Sequence, residues 1–320
     1  MKQLNTWKFI SSGLEKELDT VLLYVLESKG SSPGRQGFFM AINSDMDMCG
    51  SIGGGMMEHK FVELAKEKLK SGQTPGFIRK QVHSKSAAVN QSGMICSGEQ
   101  TLFIYSFKKE DRATIKQIID CLEQHNTGEL HLSPNNIGFS KKIPDQSFNF
   151  NYQTDTDWQY KEQLGFKDYL YIVGGGHCAL AFSKLMHGMD FYIHVFDDRE
   201  GLNTMQQNEW AHEKTIVENY SGLAKYIPSG QHNYVVLMTF GYRTDAEALR
   251  ALIQQEYKYI GLLGSAAKIK ELMKEFKDEG ISAEKLSAIH APIGLDIKSE
   301  TPEEIAVSIA AEIIKIKNRE

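Results

Sequence analysis

The chain has 320 residues, 41% of them hydrophobic, with 36 lysines and arginines against 41 aspartates and glutamates, and 27 glycines beside 7 prolines. This composition excludes disordered, collagen-like and repeat classes and, at about 100 to 200 residues per domain, sets an expectation of two domains. The formal charge of −5 gives no global electrostatic reason to bind nucleic acid or an anionic membrane.

In chain order, residues 4–18 are expected to form a helix. Residues 20–28 (TVLLYVLES) are a continuous apolar run, rich in β-branched and aromatic side chains, and read as a buried strand. A loop at residues 29–37, a strand at 38–43 and a turn at 44–47 follow. Next come the glycine-rich stretch at residues 49–55 and a helix at 57–71, where Phe61, Leu64, Ala65 and Leu69 recur at helical spacing. Two more strands are expected near 77–83 and 101–107, then a helix over 108–131. Residues 133–163 are polar and irregular with scattered aromatics, so the organisation expected is an N-terminal mixed α+β domain at 1–132, a connecting segment at 133–164 and a second domain at 165–320. There the rhythm changes to strands at 169–173, 191–196, 234–238 and 259–263, alternating with helices at 178–187, 245–256 and 267–278. Such alternation implies an α/β fold, a Rossmann-like, doubly wound parallel sheet.

Two glycine triplets carry the chemistry. Gly174, Gly175 and Gly176, then His177, Cys178 and Ala179, fit the GxGxxG/A fingerprint between a strand and a helix, where close-approaching N–H groups and the helix N-terminus suit a phosphate. Asp197, 23 positions after Gly174, stands where an acidic residue accepts hydrogen bonds from ribose hydroxyls. The bland alternative is a Rossmann-like domain used for structure or dimerisation. His177 is either a donor to an anion or a solvated helix cap. Arg243 and Asp245 lie at the carboxyl end of a later strand, the edge where ligands bind in such sheets.

The other triplet, Gly53, Gly54 and Gly55, also precedes a helix, with Ser51 as a further donor. It lacks the GK[ST] ending of a P-loop, so triphosphate hydrolysis is not expected. Ser32 and Arg35, at the end of the buried strand, suit a phosphate or carboxylate. The alternatives are a tight turn for the triplet and a surface salt bridge for Arg35.

The cysteines Cys49, Cys96, Cys121 and Cys178 show no CxxC or CxxH spacing, so neither a zinc knuckle nor a disulfide framework is signalled. No apolar run reaches the roughly 18 residues of a membrane span. The N-terminus does not resemble a secretory signal, and the expectation is a cytoplasmic protein with reduced thiols.

The stretches GSSPGRQGFFMAI, CGSIGGGMMEHKFVELA, ICSG, YIVGGGHCALAFSKL, YIGLLGS and PIGLD followed by TPEEIA together resemble the XdhC/CoxI family, accessory proteins of xanthine dehydrogenase and related molybdenum hydroxylases. The resemblance spans both halves, leaving chiefly residues 108–165 without a matching motif. It implies a molybdenum cofactor chaperone that binds molybdopterin, in its mononucleotide or dinucleotide form, holds it while a cysteine desulfurase supplies the sulfido ligand, and passes it to the apo molybdenum hydroxylase. It further implies a homo-oligomer, typically a homodimer. Arg35, Ser51, Gly53, Gly54, Gly55 and Glu58 match the N-terminal motif. Cys96 matches a family cysteine and is a candidate soft contact for molybdenum or sulfur, the alternative being a core residue. The chain departs from the family at Ala266 and Ala267, where arginines are common, at residues 239–245, where histidine is common, and at Met56, where some members carry cysteine. The competing functional readings are an NAD(P)-dependent oxidoreductase using the Rossmann domain, and a scaffold that binds no cofactor.

Overall fold

Along residues 21–26 every side chain is buried, with Val21, Leu23 and Val25 in one apolar cluster and Leu22, Tyr24 and Leu26 in another. A strand covered on both faces reads as an unbroken apolar run, which is why this segment was legible without alternation. The structure is a computed structural model and describes residues 2–72, 76–83, 98–144 and 146–318. The chain divides into two units, Met1–Gly165 and Phe166–Glu320.

The first unit contains helix α1 (Lys2–Glu15), strands β1 (Thr20–Gly30), β2 (Phe39–Asn43) and β3 (Met48–Gly50), helix α2 (Gly55–Ser71), strands β4 (Phe77–His83) and β5 (Gly98–Ser106), and helix α3 (Arg112–Glu123). Strands β6 (Gly128–Ser133), β7 (Asn136–Ser140), β8 (Phe148–Thr154) and β9 (Asp157–Leu164) complete it. The first five strands form an antiparallel sheet of order β3-β2-β1-β5-β4, and the last four a second sheet of order β7-β6-β9-β8. Helix α2 covers one face of the first sheet through Phe61, Val62 and Ala65. The other face packs on Trp7 and Ile10 of α1, Ile115 and Ile118 of α3, and Trp158 and Tyr160 of β9.

Two expectations change here. The helix expected over 108–131 ends at Glu123, and residues 128–133 are strand β6. The expected connecting segment, 133–164, is three strands of the second sheet. Its polar reading follows from one-sided burial: in β9, Trp158, Tyr160, Glu162 and Leu164 are buried while Asp157 and Gln159 are exposed. Glu162 is a carboxylate in an apolar position, and it accepts hydrogen bonds from Tyr24 of β1 at 2.5 Å and from Tyr160 at 2.8 Å. The Tyr24 hydroxyl is pushed well above its ordinary pKa by burial and by that carboxylate.

The second unit comprises β10 (Asp168–Val173), α4 (His177–His187), β11 (Phe191–Asp197), α5 (Asn203–Gln207), β12 (Glu213–Ile216), β13 (Gly230–Leu237) and α6 (Tyr242–Leu252). It continues with β14 (Tyr257–Leu262), α7 (Ala266–Asp278), α8 (Ala283–Ser287) and α9 (Pro302–Lys317). The five strands pair in parallel in the order β12-β11-β10-β13-β14. Apolar residues of α4 and α9 pack against one face, and those of α6 and α7 against the other. This is the doubly wound, Rossmann-like sheet expected from the alternation. Strand order reverses at β10, so the crevice for a ligand opens between the loops that follow β10 and β13. Thr301 and Glu304 cap α9 reciprocally, with Pro302 at its first position.

Candidate functional site

In the first unit the loops after β1 and β3 meet backbone to backbone. A Cβ on Gly34 would lie 1.9 Å from the Ile52 carbonyl oxygen, and one on Gly53, which has φ +120°, would lie 2.3 Å from the Gly34 nitrogen. Only glycine permits this approach. Gln100 of β5, almost fully buried, braces the junction: its Nε2 donates to Gly34 O at 2.7 Å and to Ile52 O at 3.5 Å. Its Oε1 is buried and has no partner among the described residues. Ser32 is buried and donates to Gly34 O at 3.1 Å. Arg35 is exposed and donates to Gly30 O at 3.3 Å.

The triplet beside them already holds an anion, the chain's own. Glu58, in the first turn of α2, turns its Oε2 back onto the loop, where it accepts from Ser51 Oγ at 2.7 Å, Ile52 N at 2.9 Å and Gly54 N at 3.0 Å. Ser51 Oγ in turn accepts from Gly53 N at 3.1 Å. A carboxylate at a helix N-terminus is where the helix dipole favours it. Added Cβ atoms on Gly54 and Gly55 would meet no atom within 4 Å, so the outer side of the loop faces open space. Thus Ser32, Arg35, Ser51, Gly53, Gly54, Gly55 and Glu58 belong to two adjoining loops and the helix that follows them. Cys96 lies outside the described residues.

In the second unit Gly174, at φ +107°, passes so close to β13 that a Cβ would lie 2.3 Å from Met238 O. Gly175 is packed against Met205, whereas Gly176 has no atom within 4 Å of an added Cβ. Gly176 caps α4 without any side-chain acceptor, and His177 is exposed at the helix start. Cys178 is half-buried against the core beneath α4, and burial, with Glu303 nearby, pushes its thiol up.

Asp197 ends β11 as expected, but it is fully buried. Its Oδ2 accepts from Gly175 N at 2.6 Å and from an Arg199 terminal nitrogen, Nη2, at 2.8 Å. Its Oδ1 accepts from Arg199 Nε at 2.8 Å and from Arg199 N at 3.0 Å. Burial pushes the carboxyl up, but the Arg199 guanidinium and the Gly175 and Arg199 amides outweigh it and hold the group below its ordinary value. Arg199, a residue the sequence reading missed, also lies 5.6 Å from the ring of Phe240, which is 89% exposed. The signal was local: an arginine two positions after the strand-ending acid.

Asp245 is likewise fully buried. It accepts from Thr239 N at 3.0 Å and Thr239 Oγ1 at 2.6 Å, and it pairs with Lys268. It therefore braces the loop after β13 against α7. Arg243, the second residue of α6, is exposed and forms no ion pair among the described residues. Among the described residues no group of three or more His, Cys, Asp or Glu is placed to hold a metal ion, and no helix is long and apolar enough to cross a membrane.

Comparison with known proteins assigns both units. The XdhC and CoxI family matches residues 14–80 and the XdhC Rossmann domain matches residues 170–313. The chain is 24% identical over 326 residues to a Bacillus subtilis protein named as a probable xanthine dehydrogenase subunit, covering 96% of each. It is 21% identical over 313 residues to the molybdenum cofactor insertion chaperone PaoD of Escherichia coli, covering 97% of this chain and 87% of that one. It is 25% identical over 307 residues to the uncharacterized Escherichia coli protein YqeB, of whose length it spans only 44%. In fold it resembles a solved Bacillus halodurans protein described as a xanthine dehydrogenase, with a TM-score of 0.72 at 20% identity over 98% of this chain and 96% of the other. With both domain signatures present in order along one chain, the protein belongs to the XdhC and CoxI family.

Proposed function

We propose that the protein is an accessory factor of a molybdenum hydroxylase: it binds molybdopterin, protects it during sulfuration by a cysteine desulfurase, and delivers it to the apo-hydroxylase. The observation that carries this reading is the match over nearly the whole chain to a relative named as a molybdenum cofactor insertion chaperone. The residues present fit a phosphate-bearing heterocycle, each unit by itself. In the second, the uncapped start of α4 offers main-chain donors beside the open side of Gly176, with His177 and Arg243 exposed in the first turns of α4 and α6. In the first, Gln100 Oε1, without a partner among the described residues, is an acceptor of the kind that ring N–H groups of a pterin need, and the outer side of Gly54 and Gly55 is open. The bound cofactor would supply a dithiolene-held molybdenum, for which Cys96 is the proposed sulfur or metal contact. The chain's own part is to bind, orient and shield, and we expect it to do so as a homodimer.

Purification after co-expression with the cofactor's biosynthetic enzymes, under reducing and anaerobic conditions, tests the proposal. Oxidative extraction should release a fluorescent pterin in near-stoichiometric amount. Protein that releases none overturns the reading.

A further inference from the structure

In a Rossmann domain that binds a dinucleotide, the acidic residue ending the second strand accepts hydrogen bonds from ribose hydroxyls, so it must keep lone pairs open to the crevice. Asp197 has the position without the open lone pairs. Gly175 N, Arg199 N, Arg199 Nε and Arg199 Nη2 place four donors on its two oxygens, at 2.6 to 3.0 Å. An ionised carboxylate offers about four lone-pair sites, so the set is complete. The guanidinium engages in fork geometry, with one N–H donor on each oxygen. Its remaining nitrogen, Nη1, makes no hydrogen bond among the described residues, and the side chain is 38% exposed beside the ring of Phe240.

We propose that Arg199 sets the ligand specificity of this crevice: its guanidinium takes the place on Asp197 that a ribose diol would need, and so closes the domain to NAD(H). A diol displacing it would exchange an ion pair, charged on both partners, for bonds charged on the acceptor alone, and would leave the guanidinium to find another anion. The crevice turns a cationic donor, rather than a carboxylate, towards whatever it binds. The inference stands whether or not the chain carries molybdopterin, because it concerns only which nucleotides are refused.

Titration of the full chain with NADH, followed by nicotinamide fluorescence, tests it. The unsubstituted chain should show no saturable binding. Arg199→Gln removes the guanidinium while keeping a donor for Asp197, and should gain at least about tenfold in NADH affinity. Arg199→Lys retains a charge that covers a single oxygen, so it should gain less, and it carries the test if the glutamine variant fails to fold. Saturable NADH binding by the unsubstituted chain overturns the proposal. So does a folded substituted chain, judged by an unchanged circular-dichroism spectrum, that gains nothing.

Discussion

The two glycine triplets look alike in sequence and are satisfied by opposite means. The loop before α2 is closed from its own helix, by Glu58 four residues after Gly54, which gathers three donors on one oxygen. The loop before α4 is closed from a different strand: Asp197 takes only the Gly175 amide and leaves the first turn of α4 uncapped. The comparison teaches that a glycine loop before a helix predicts an anion without predicting whose anion it is. A local carboxylate can occupy the nest, and the groups that remain open to a ligand then differ in charge.

Four substitutions bear on that contrast. Gly34→Ala should be the most damaging, by about 4 kcal/mol, because the added carbon meets main chain in the adjoining loop rather than the end of a flexible side chain. Unfolding followed by the buried tryptophans of the first unit, Trp7 and Trp158, measures it. A loss below about 1 kcal/mol would mean that the loops part without cost.

Asp197→Asn should cost about 3 kcal/mol, since it strips the anion from an arginine and an amide that are bound to it. This effect carries a pH signature. The carboxyl is held below its ordinary value in the folded chain, so its contribution is fully present above the unfolded pKa of about 3.9 and is lost as pH falls through the lower folded value. The difference in melting temperature between the parent and Asp197→Asn should be constant from neutral pH to about pH 5 and shrink below about pH 4. A difference that grows on acidification contradicts the assignment.

Glu58→Ala should cost less, about 1.5 kcal/mol, because the donors it abandons lie near the surface and can be hydrated. Faster hydrogen exchange confined to the Ile52 and Gly54 amides is the specific readout. Gly176→Ala should be smallest, about 0.5 kcal/mol, since its backbone is ordinary and its surroundings are open. A cost comparable to that of Gly34→Ala would mean that the loop before α4 is packed as closely at Gly176 as the loops after β1 and β3 are where they meet.

Much of this was legible. The unbroken run of β1, the strand-helix alternation after residue 168 and the fingerprint at Gly174 rest on local pattern, and the structure follows them. The second sheet was not legible, because β8 and β9 carry polar residues on their open face and Glu162 sits in the buried row. A charged residue at a core position breaks the pattern a reader looks for, and its partner Tyr24 lies 138 residues away. The site shows the same division. Residue types and positions at the loops could be read, but the occupancy of Asp197 by Arg199 and the burial of Asp245 against Lys268 depend on side-chain directions that spacing does not encode.

The brace at Gln100 has a consequence for how this chain can change over time. One amide nitrogen reaches the carbonyl oxygens of Gly34 and Ile52, in two loops that also touch through Gly34 and Gly53. A side chain added to either glycine displaces the other loop, and a shorter residue at position 100 strips the bridging bond from both carbonyls at once, leaving Gly34 O to Ser32 alone. Positions 34, 53 and 100 are therefore tied into a single heritable unit: drift at one is viable only with a compensating change at another. The two loops can be remodelled for a new ligand together, but not one at a time.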